Sequence, residues 1–326
     1  MNTVLPTVSI VVPVFNRKVY VSQLLASIES LTYPRDRFEV IMVDNGSTDG
    51  TWEMLVDVAK TLPFRFQCFK NPSEIKLPSA SRNFGVSRAS GEIIAFTDSD
   101  CMVSPGWLDA GAPLFSETVG IVQGLTVLDA ADPPPVLHHK VVPSAQGTYA
   151  ETCNIFYKRE LIQRVGGFDE TMRTLNDSGW GNDTDLAYRV KALGYKLVFC
   201  EEAKVIHHIV PMNFRSWLLQ PLRAATWSRV VKMHPEIRHD LMVCRYFATK
   251  MTALFDLMLA GLLLGAVIKW FFVLLAIPFL ILKYREGGHH LSPVLRIARL
   301  GGGSLRAFVL FCTLLYSSVR FRALVL

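Results

Sequence analysis

Nowhere in its 326 residues does the chain carry G-x-G-x-x-G or G-x-x-x-x-G-K-[ST]. Neither the dinucleotide fingerprint nor the P-loop is therefore its way of holding phosphates. Cysteine is sparse: Cys68, Cys101, Cys153, Cys200, Cys244 and Cys312 are scattered with no C-x-x-C pair. A zinc site and a disulfide framework are both unindicated, and the thiols are expected to be reduced. The sequence also lacks internal repeats, low-complexity tracts and a basic-aromatic platform, so no nucleic-acid partner is expected. No leader pattern precedes the apolar stretch Val8–Val12, and the expectation is that the N-terminal part stays in the cytoplasm.

What is present begins with short apolar runs that end in polar turns. Val8–Val12 reads as a buried strand ending at Pro13, followed by Phe15-Asn16-Arg17 and a helical pattern from Val19 to Leu31. Phe38–Val43 is a second strand, running into the turn Asp44-Asn45-Gly46-Ser47-Thr48-Asp49-Gly50-Thr51. Asp44, at a strand's carboxyl end, could accept a hydrogen bond from a base N–H; a helix-capping loop is the alternative. Ile93–Phe96 is a third strand, and Thr97-Asp98-Ser99-Asp100 emerges from it. Open α/β sheets bind ligands at that edge. Carboxylates spaced i, i+2 can both reach one hard cation such as Mg²⁺ or Mn²⁺, although a bare D-x-D is equally at home in a solvated turn. A second acidic signature, Trp180-Gly181-Asn182-Asp183-Thr184-Asp185-Leu186, opens a helix.

Taken in order, VSIVVPVFNR, VDNGSTDGT, SRNFG, IAFTDSD, GGFDE and GWGNDTDLAYRV resemble the motifs of family 2 glycosyltransferases over roughly residues 6 to 210. The resemblance implies an α/β architecture of GT-A type, a Rossmann-like mixed sheet flanked by helices. It further implies a nucleotide-sugar donor, Mn²⁺ or Mg²⁺, and inversion at the anomeric carbon. Carried over residue by residue, Pro13, Phe15 and Asp44 match the base pocket, and Arg82 and Asn83 match residues near the nucleotide and phosphates. Asp98 and Asp100 match the D-x-D pair, Asp100 as the direct metal ligand and Asp98 also serving the ribose. Asp183 matches the general base, Asn154 a polar position beneath the donor sugar, and His207 a third metal ligand. Trp180 and Asp185 are acceptor-side candidates, Asp185 being equally explained as a helix-terminal carboxylate. One departure is Asn182, where the family usually has glutamate before the base; this leaves the acceptor-side detail open. His138-His139 and His289-His290 have no partners at metal-site spacing and read as surface histidines; the Pro-rich Asp132–Pro135 reads as a loop flanking the acceptor cleft.

Beyond the resemblance the chain changes character. Leu254–Leu282 is almost entirely apolar, interrupted by Asp256 and Lys269. One continuous span would put Lys269 near the bilayer centre at roughly 2.5–3.5 kcal/mol, whereas a hairpin turning there avoids that cost. Arg245 and Lys250 before the run, and Lys283, Arg285, Arg296 and Arg299 after it, favour both flanks being cytoplasmic. Ala307–Val319, bracketed by Arg306 and Arg320, reads as an interfacial or re-entrant helix, with a buried docking helix as the alternative. The net charge of +6 lies towards this end and suits anionic headgroups. The expected division is a catalytic domain over 1–212, a helical linker over 213–250 and a membrane-associated region over 251–326, with a hairpin at about 252–283 and a helix at about 304–320.

The functional expectation is a membrane-bound inverting glycosyltransferase acting on a lipid or lipid-linked saccharide. A processive synthase is the nearest alternative, but Q-x-x-R-W is half present: Gln220 and Arg223 keep its spacing and Ala224 stands where tryptophan belongs. A metal-dependent nucleotidyltransferase is the alternative from another class; it would release pyrophosphate and need no base at Asp183.

Overall fold

The computed structural model describes residues 5–129, 137, 149–174, 180–286 and 293–326. The two histidine pairs and the Asp132–Pro135 loop lie outside them. Two compact units result, one reaching Val210, the other comprising Pro211–Leu326 with Leu137, Arg173 and Thr174.

The first unit is built on eight strands: β1 (Val8–Val14), β2 (Phe38–Asp44), β3 (Arg65–Lys70), β4 (Ile93–Thr97), β5 (Cys101–Val103), β6 (Val119–Leu128), β7 (Asn154–Lys158) and β8 (Lys196–His207). Their order is β3-β2-β1-β4-β7-β6-β8-β5. The first four are parallel, β7 runs antiparallel to β4 and β6, β8 is parallel to β6, and β5 is antiparallel to β8. This is the mixed sheet expected of the GT-A fold. Helices α1 (Lys18–Glu29), α2 (Thr51–Val58), α3 (Pro78–Arg88), α4 (Trp107–Gly111), α5 (Arg159–Arg164) and α6 (Asn182–Ala192) connect the strands.

Strand alternation explains the near-continuous apolar runs. Val8, Ile10 and Val12 pack with Leu24 and Ile28 of α1. Val11, Ile41 and Phe96 point to the opposite face, with Val86 of α3 and Leu186 of α6. A sheet covered on both faces has no polar alternation to show. β1 continues through Pro13 instead of ending there, Pro13 pairing with Val43. Pairing with β4 stops at Val11, so Pro13 sits where β1 has one neighbour and its missing N–H is tolerated.

The second unit is helical: α7 (Phe214–Leu219), a 3-10 segment (Gln220–Thr226), α8 (Trp227–Met233), α9 (Ile237–Asp240), α10 (Lys250–Val267), a 3-10 segment (Trp270–Ala276), α11 (Ile277–Glu286) and α12 (Pro293–Phe321). A Thr249–Thr252 capping box starts α10, and the chain is extended at Lys269. Phe255 of α10 packs 5.2 Å from Phe279 of α11 and 6.2 Å from Phe311 of α12.

α12 is longer than the helix its apolar core alone predicts, because Gly301-Gly302-Gly303 does not break it. A Cβ at Gly302 would sit 3.5 Å from the Trp217 ring, and one at Gly303 3.4 Å from the Lys283 stem. The helix runs through all three despite a propensity cost of roughly 1 kcal/mol per glycine. By length and composition α10 and α12 are both capable of crossing a membrane.

Candidate active site

Because β1, β2 and β4 are parallel, their carboxyl ends deliver Phe15, Asp44 and Asp98 to one sheet edge. Pro13 is the penultimate residue of β1, and Phe15 beyond it is half exposed. The two loops there are stitched together: the Asn16 N–H donates to Ser47 Oγ at 2.9 Å, and the Thr48 N–H to Asn16 Oδ1 at 2.8 Å. Asp44 is buried, and its carboxylate accepts the N–H groups of Gly46 and Ser47, each at 3.1 Å. It thus shapes the loop after β2.

Asp98 and Asp100 diverge. Asp98 Oδ1 accepts from Arg82 Nη2 at 2.7 Å. Arg82, on α3 and only 8% exposed, also brings Nη1 to 3.8 Å from Asp183 Oδ1. Asp183 sits in the first turn of α6, and its other oxygen accepts from Thr152 Oγ1 at 2.9 Å and from the Thr152 N–H at 3.2 Å. Gly181 makes this possible: at φ 94° it takes the left-handed conformation that starts α6, a geometry that disfavours side-chain-bearing residues.

Asp100 forms a different cluster. Antiparallel pairing of β5 with β8 sets Cys101 against His207, and Asp100, Cys101 and His207 offer donor atoms within 4.8 Å of one another. His207 Nδ1 lies 2.8 Å from the His208 carbonyl, so that nitrogen carries the proton and donates. Nε2 lies 3.6 Å from Asp100 Oδ1. Burial, with Cys153, Asp98 and Asp100 nearby, pushes the Cys101 thiol well above its ordinary value. Carboxylate plus imidazole can hold a divalent cation. Asp98, engaged by Arg82, is not part of this cluster.

Three expected site residues turn out to hold the scaffold. Asn154 is fully buried; its Oδ1 accepts from Trp107 Nε1 at 2.8 Å and its Nδ2 donates to the carbonyls of Leu125 and Ala203 at 2.9 and 2.8 Å. A side chain so saturated pins β7 to α4, β6 and β8. Asn83 exchanges hydrogen bonds with the Phe168 backbone at 2.9 and 2.8 Å and donates to Glu170 Oε1 at 2.7 Å. It fastens the GGFDE loop, where Gly167 has φ 73° and a Cβ would meet Asn83 Oδ1 at 2.5 Å. Asp185, fully buried, accepts from Arg189 Nε and Nη2 at 2.9 and 2.7 Å; Arg189 also donates to the carbonyls of Val165 and Gly167. Trp180 is half-buried immediately before α6.

Two residues were not anticipated. Arg17 Nε lies 3.4 Å from Asp100 Oδ2, and Thr152 orients Asp183. Arg17 stands in the VFNR motif at a strand's carboxyl end, which is a readable signal; Thr152 offers none, because only folding brings it to α6.

The fold and its acidic strand-edge site define a GT-A type sugar transferase. Sequence comparison agrees: the Glycosyl transferase family 2 model matches residues 9–176, just over half the chain, and a Glycosyl transferase family group 2 model matches residues 93–285. The chain belongs to glycosyltransferase family 2, and it is a glycosyltransferase enzyme. It is similar to glycosyltransferase AglE of Haloferax volcanii, with 29% identity over 66% of this chain and 73% of that protein. It is also similar to the probable glycosyltransferase YdaM of Bacillus subtilis, with 27% identity over 69% of this chain but only 55% of that protein. Among solved structures it resembles the mannosyltransferase PcManGT from Pyrobaculum calidifontis, in complex with GDP-Man and Mn²⁺, with a TM-score of 0.58 and 20% identity over 98% of this chain and 88% of that one.

Proposed function

We propose that the chain is an inverting, metal-assisted glycosyltransferase that moves a sugar from a UDP- or GDP-type donor to a hydroxyl of a lipid or lipid-linked saccharide, at the cytoplasmic face of the cell membrane. The observation that carries this reading is Arg82, one buried guanidinium shared by Asp98 on the strand-edge side and Asp183 on the α6 side. In-line displacement at an anomeric carbon needs a leaving-group side and a base side held apart at fixed separation, and one rigid planar cation does that.

Asp183 takes the acceptor hydroxyl's proton as that oxygen attacks the sugar. Thr152 occupies Oδ2 and fixes the carboxylate's orientation. Asp100 and His207 would hold a divalent cation, which supplies positive charge for the departing diphosphate. Arg17, beside Asp100, adds a second positive charge to the phosphate side. The GDP-Man and Mn²⁺ bound by PcManGT support the donor class and the cation.

The lipid acceptor and membrane location rest on α10 to α11. α10 has 18 residues, roughly 27 Å of helix, and the return through the 3-10 segment and α11 is about as long. Each leg approaches the roughly 30 Å of a hydrocarbon core, and Lys269 would lie at the far headgroups. The apolar tip is open: Val267 and Trp270 are 75% and 76% exposed. We place the catalytic domain at 1–212, the linker at 213–250 and the membrane region at 251–326. Transfer of one sugar per acceptor fits better than polymerisation, because Ala224 interrupts the Q-x-x-R-W pattern.

The test is a panel of nucleotide-sugar donors with Mn²⁺ or Mg²⁺ and detergent-solubilised membrane lipid. Nucleoside diphosphate release coupled to a lipid mass gain of one sugar is expected. Diphosphate release without a lipid product would discard the lipid acceptor.

A further inference from the structure

Strand β5 lies at one edge of the sheet, and its first residue brings three unlike donors together. Cys101 pairs with His207, the last residue of β8, and residues directly opposed on antiparallel strands turn their side chains to the same face. Cys101 is fully buried and His207 is 5% exposed. The backbone brings Asp100 to them: the His208 N–H donates to the Asp100 carbonyl at 2.9 Å, and the Cys101 N–H to the Asp98 carbonyl at 3.2 Å. Among the described residues, this is the group of three in which carboxylate oxygen, thiol sulfur and imidazole nitrogen all lie within 4.8 Å of one another. The transfer chemistry above uses Asp100 and His207 and leaves Cys101 idle.

Sulfur changes what the cluster can hold. Carboxylate and imidazole accept many divalent ions, whereas a thiolate selects thiophilic ones such as Zn²⁺. One sulfur, one imidazole and one carboxylate make three protein ligands, the number found at zinc sites that keep a fourth position open. Spacing agrees. Ligand atoms about 2.1 Å from a tetrahedral ion are roughly 3.4 Å apart, against roughly 3.0 Å for neighbours around an octahedral one; His207 Nε2 and Asp100 Oδ1 are 3.6 Å apart. The outer partner that a zinc-bound imidazole uses is also in place, since His207 Nδ1 donates to the His208 carbonyl at 2.8 Å and the ring is thereby fixed. The C-x-x-C spacing that the sequence lacks is not needed here, because sulfur and imidazole meet through the β5–β8 register.

We propose that Asp100, Cys101 and His207 form a three-ligand site for Zn²⁺, with Cys101 bound as the thiolate. The proposal rests on the reading of Asp100 and His207 as cation ligands, and it makes Zn²⁺ a competitor of Mn²⁺ for them. On binding, the Cys101 S–H bond is exchanged for a Zn–S bond, as a coordinating thiol is deprotonated outright. The proton leaves to solvent on the Asp100 side, where the carboxylate is 14% exposed.

The experiment is spectroscopic titration of the full detergent-solubilised chain with Co²⁺, a coloured stand-in for Zn²⁺, and then with Zn²⁺, after the exposed Cys244 and Cys312 have been replaced by serine. A sulfur-to-cobalt charge-transfer band in the near ultraviolet is expected on Co²⁺ addition, and its loss when Zn²⁺ follows. Cys101→Ser should remove the band and weaken Zn²⁺ binding by more than about 100-fold, above the range for loss of an outer-shell partner. Mn²⁺ affinity, read by the electron paramagnetic resonance of the free ion, should change far less, because Mn²⁺ favours oxygen ligands. Cys101→Ala should match the serine variant. If neither variant folds, Asp100→Asn, at the partly open position, decides: it should weaken the Co²⁺ binding that the band reports. The site is overturned by the absence of the band, by a band that survives in Cys101→Ser, or by one whose Co²⁺ affinity is unmoved in Asp100→Asn. Equal loss of Zn²⁺ and Mn²⁺ binding in Cys101→Ser and Cys101→Ala overturns it as well, since that marks a packing role. Mn²⁺-dependent donor binding is measured on the same samples. Its absence in a chain that shows the band sinks the metal-assisted transfer reading and leaves the zinc site standing; its presence without the band does the reverse.

Discussion

Asp98 and Asp183, one after a strand and one opening a helix, are held by the two terminal nitrogens of a single guanidinium, that of Arg82, at 2.7 and 3.8 Å. Arg82 is buried and the carboxylates are partly open, 29% and 31% exposed, so the fixed cation sits behind and the two anions face outward. That arrangement couples the two carboxylates through one side chain, and in the proposed mechanism they stand for the donor and acceptor halves of the site.

Replacing Arg82 should therefore damage both halves. Arg82→Ala is expected to weaken donor binding and to lower kcat by roughly 10²–10³, the scale of a preorganised electrostatic contact. Arg82→Lys should recover little, since a point charge cannot serve two carboxylates as the fork does. Steady-state kinetics with diphosphate release as readout checks both variants.

Asp183→Asn should keep donor affinity while transfer falls by at least about 10²-fold. Thr152→Val should lose less, roughly tenfold, because the base persists but is no longer oriented. If Thr152 acts only through Asp183, the double variant will be no slower than Asp183→Asn alone, and a double-mutant cycle reads this directly.

Asp100→Ala and His207→Ala should each abolish the Mn²⁺-dependent part of donor binding, measured by titration with and without chelator. Mn²⁺ should support more activity than Mg²⁺, because imidazole is a poor ligand for the harder ion. Equal donor affinity in the presence and absence of Mn²⁺ in the wild type would remove the metal from the mechanism.

Asn154→Ala should act on stability, not on sugar choice. It leaves Trp107 Nε1 and the carbonyls of Leu125 and Ala203 without their partner, a loss of about 1–3 kcal/mol for each buried group. A lower thermal midpoint with an unchanged donor profile is expected; an altered donor preference at unchanged stability would return Asn154 to the sugar site.

Glu39 gives the fold an acid-side dependence. Burial pushes its carboxyl up, but hydrogen bonds from the Ser90 N–H, Ser9 and the Ser90 hydroxyl, with Arg65 alongside, more than offset that and hold it below the ordinary glutamate value. A depressed folded value means stabilisation that is present above the unfolded pKa, about 4.3, and lost as pH falls through the folded one. Glu39→Gln should therefore lower the melting temperature at pH 7, and the gap from wild type should narrow below about pH 4.3.

What the sequence determined by itself is local. Apolar runs closed by polar turns mark β1, β2 and β4, because a strand buried on both faces has to be apolar throughout and its polar exit has to be a loop. The motifs at Asp98–Asp100 and Asp183–Asp185 were legible for the same reason: each is a contiguous segment whose chemistry is its own. Tertiary structure decided how these segments share partners. The sequence of SRNFG does not tell that Arg82 reaches two carboxylates while Asn83 beside it turns away to the Phe168 backbone; neighbours on α3 diverge by the helical turn, and each side chain's role is set by what lies opposite. Nor can it show that Asp100 leaves Asp98 to join His207, since that follows from the register of β5 on β8. Glycines 301–303 have low intrinsic helix propensity and still form helix in α12. Segment identity is written in local pattern, and pairing between segments is decided by long-range packing that no single stretch contains.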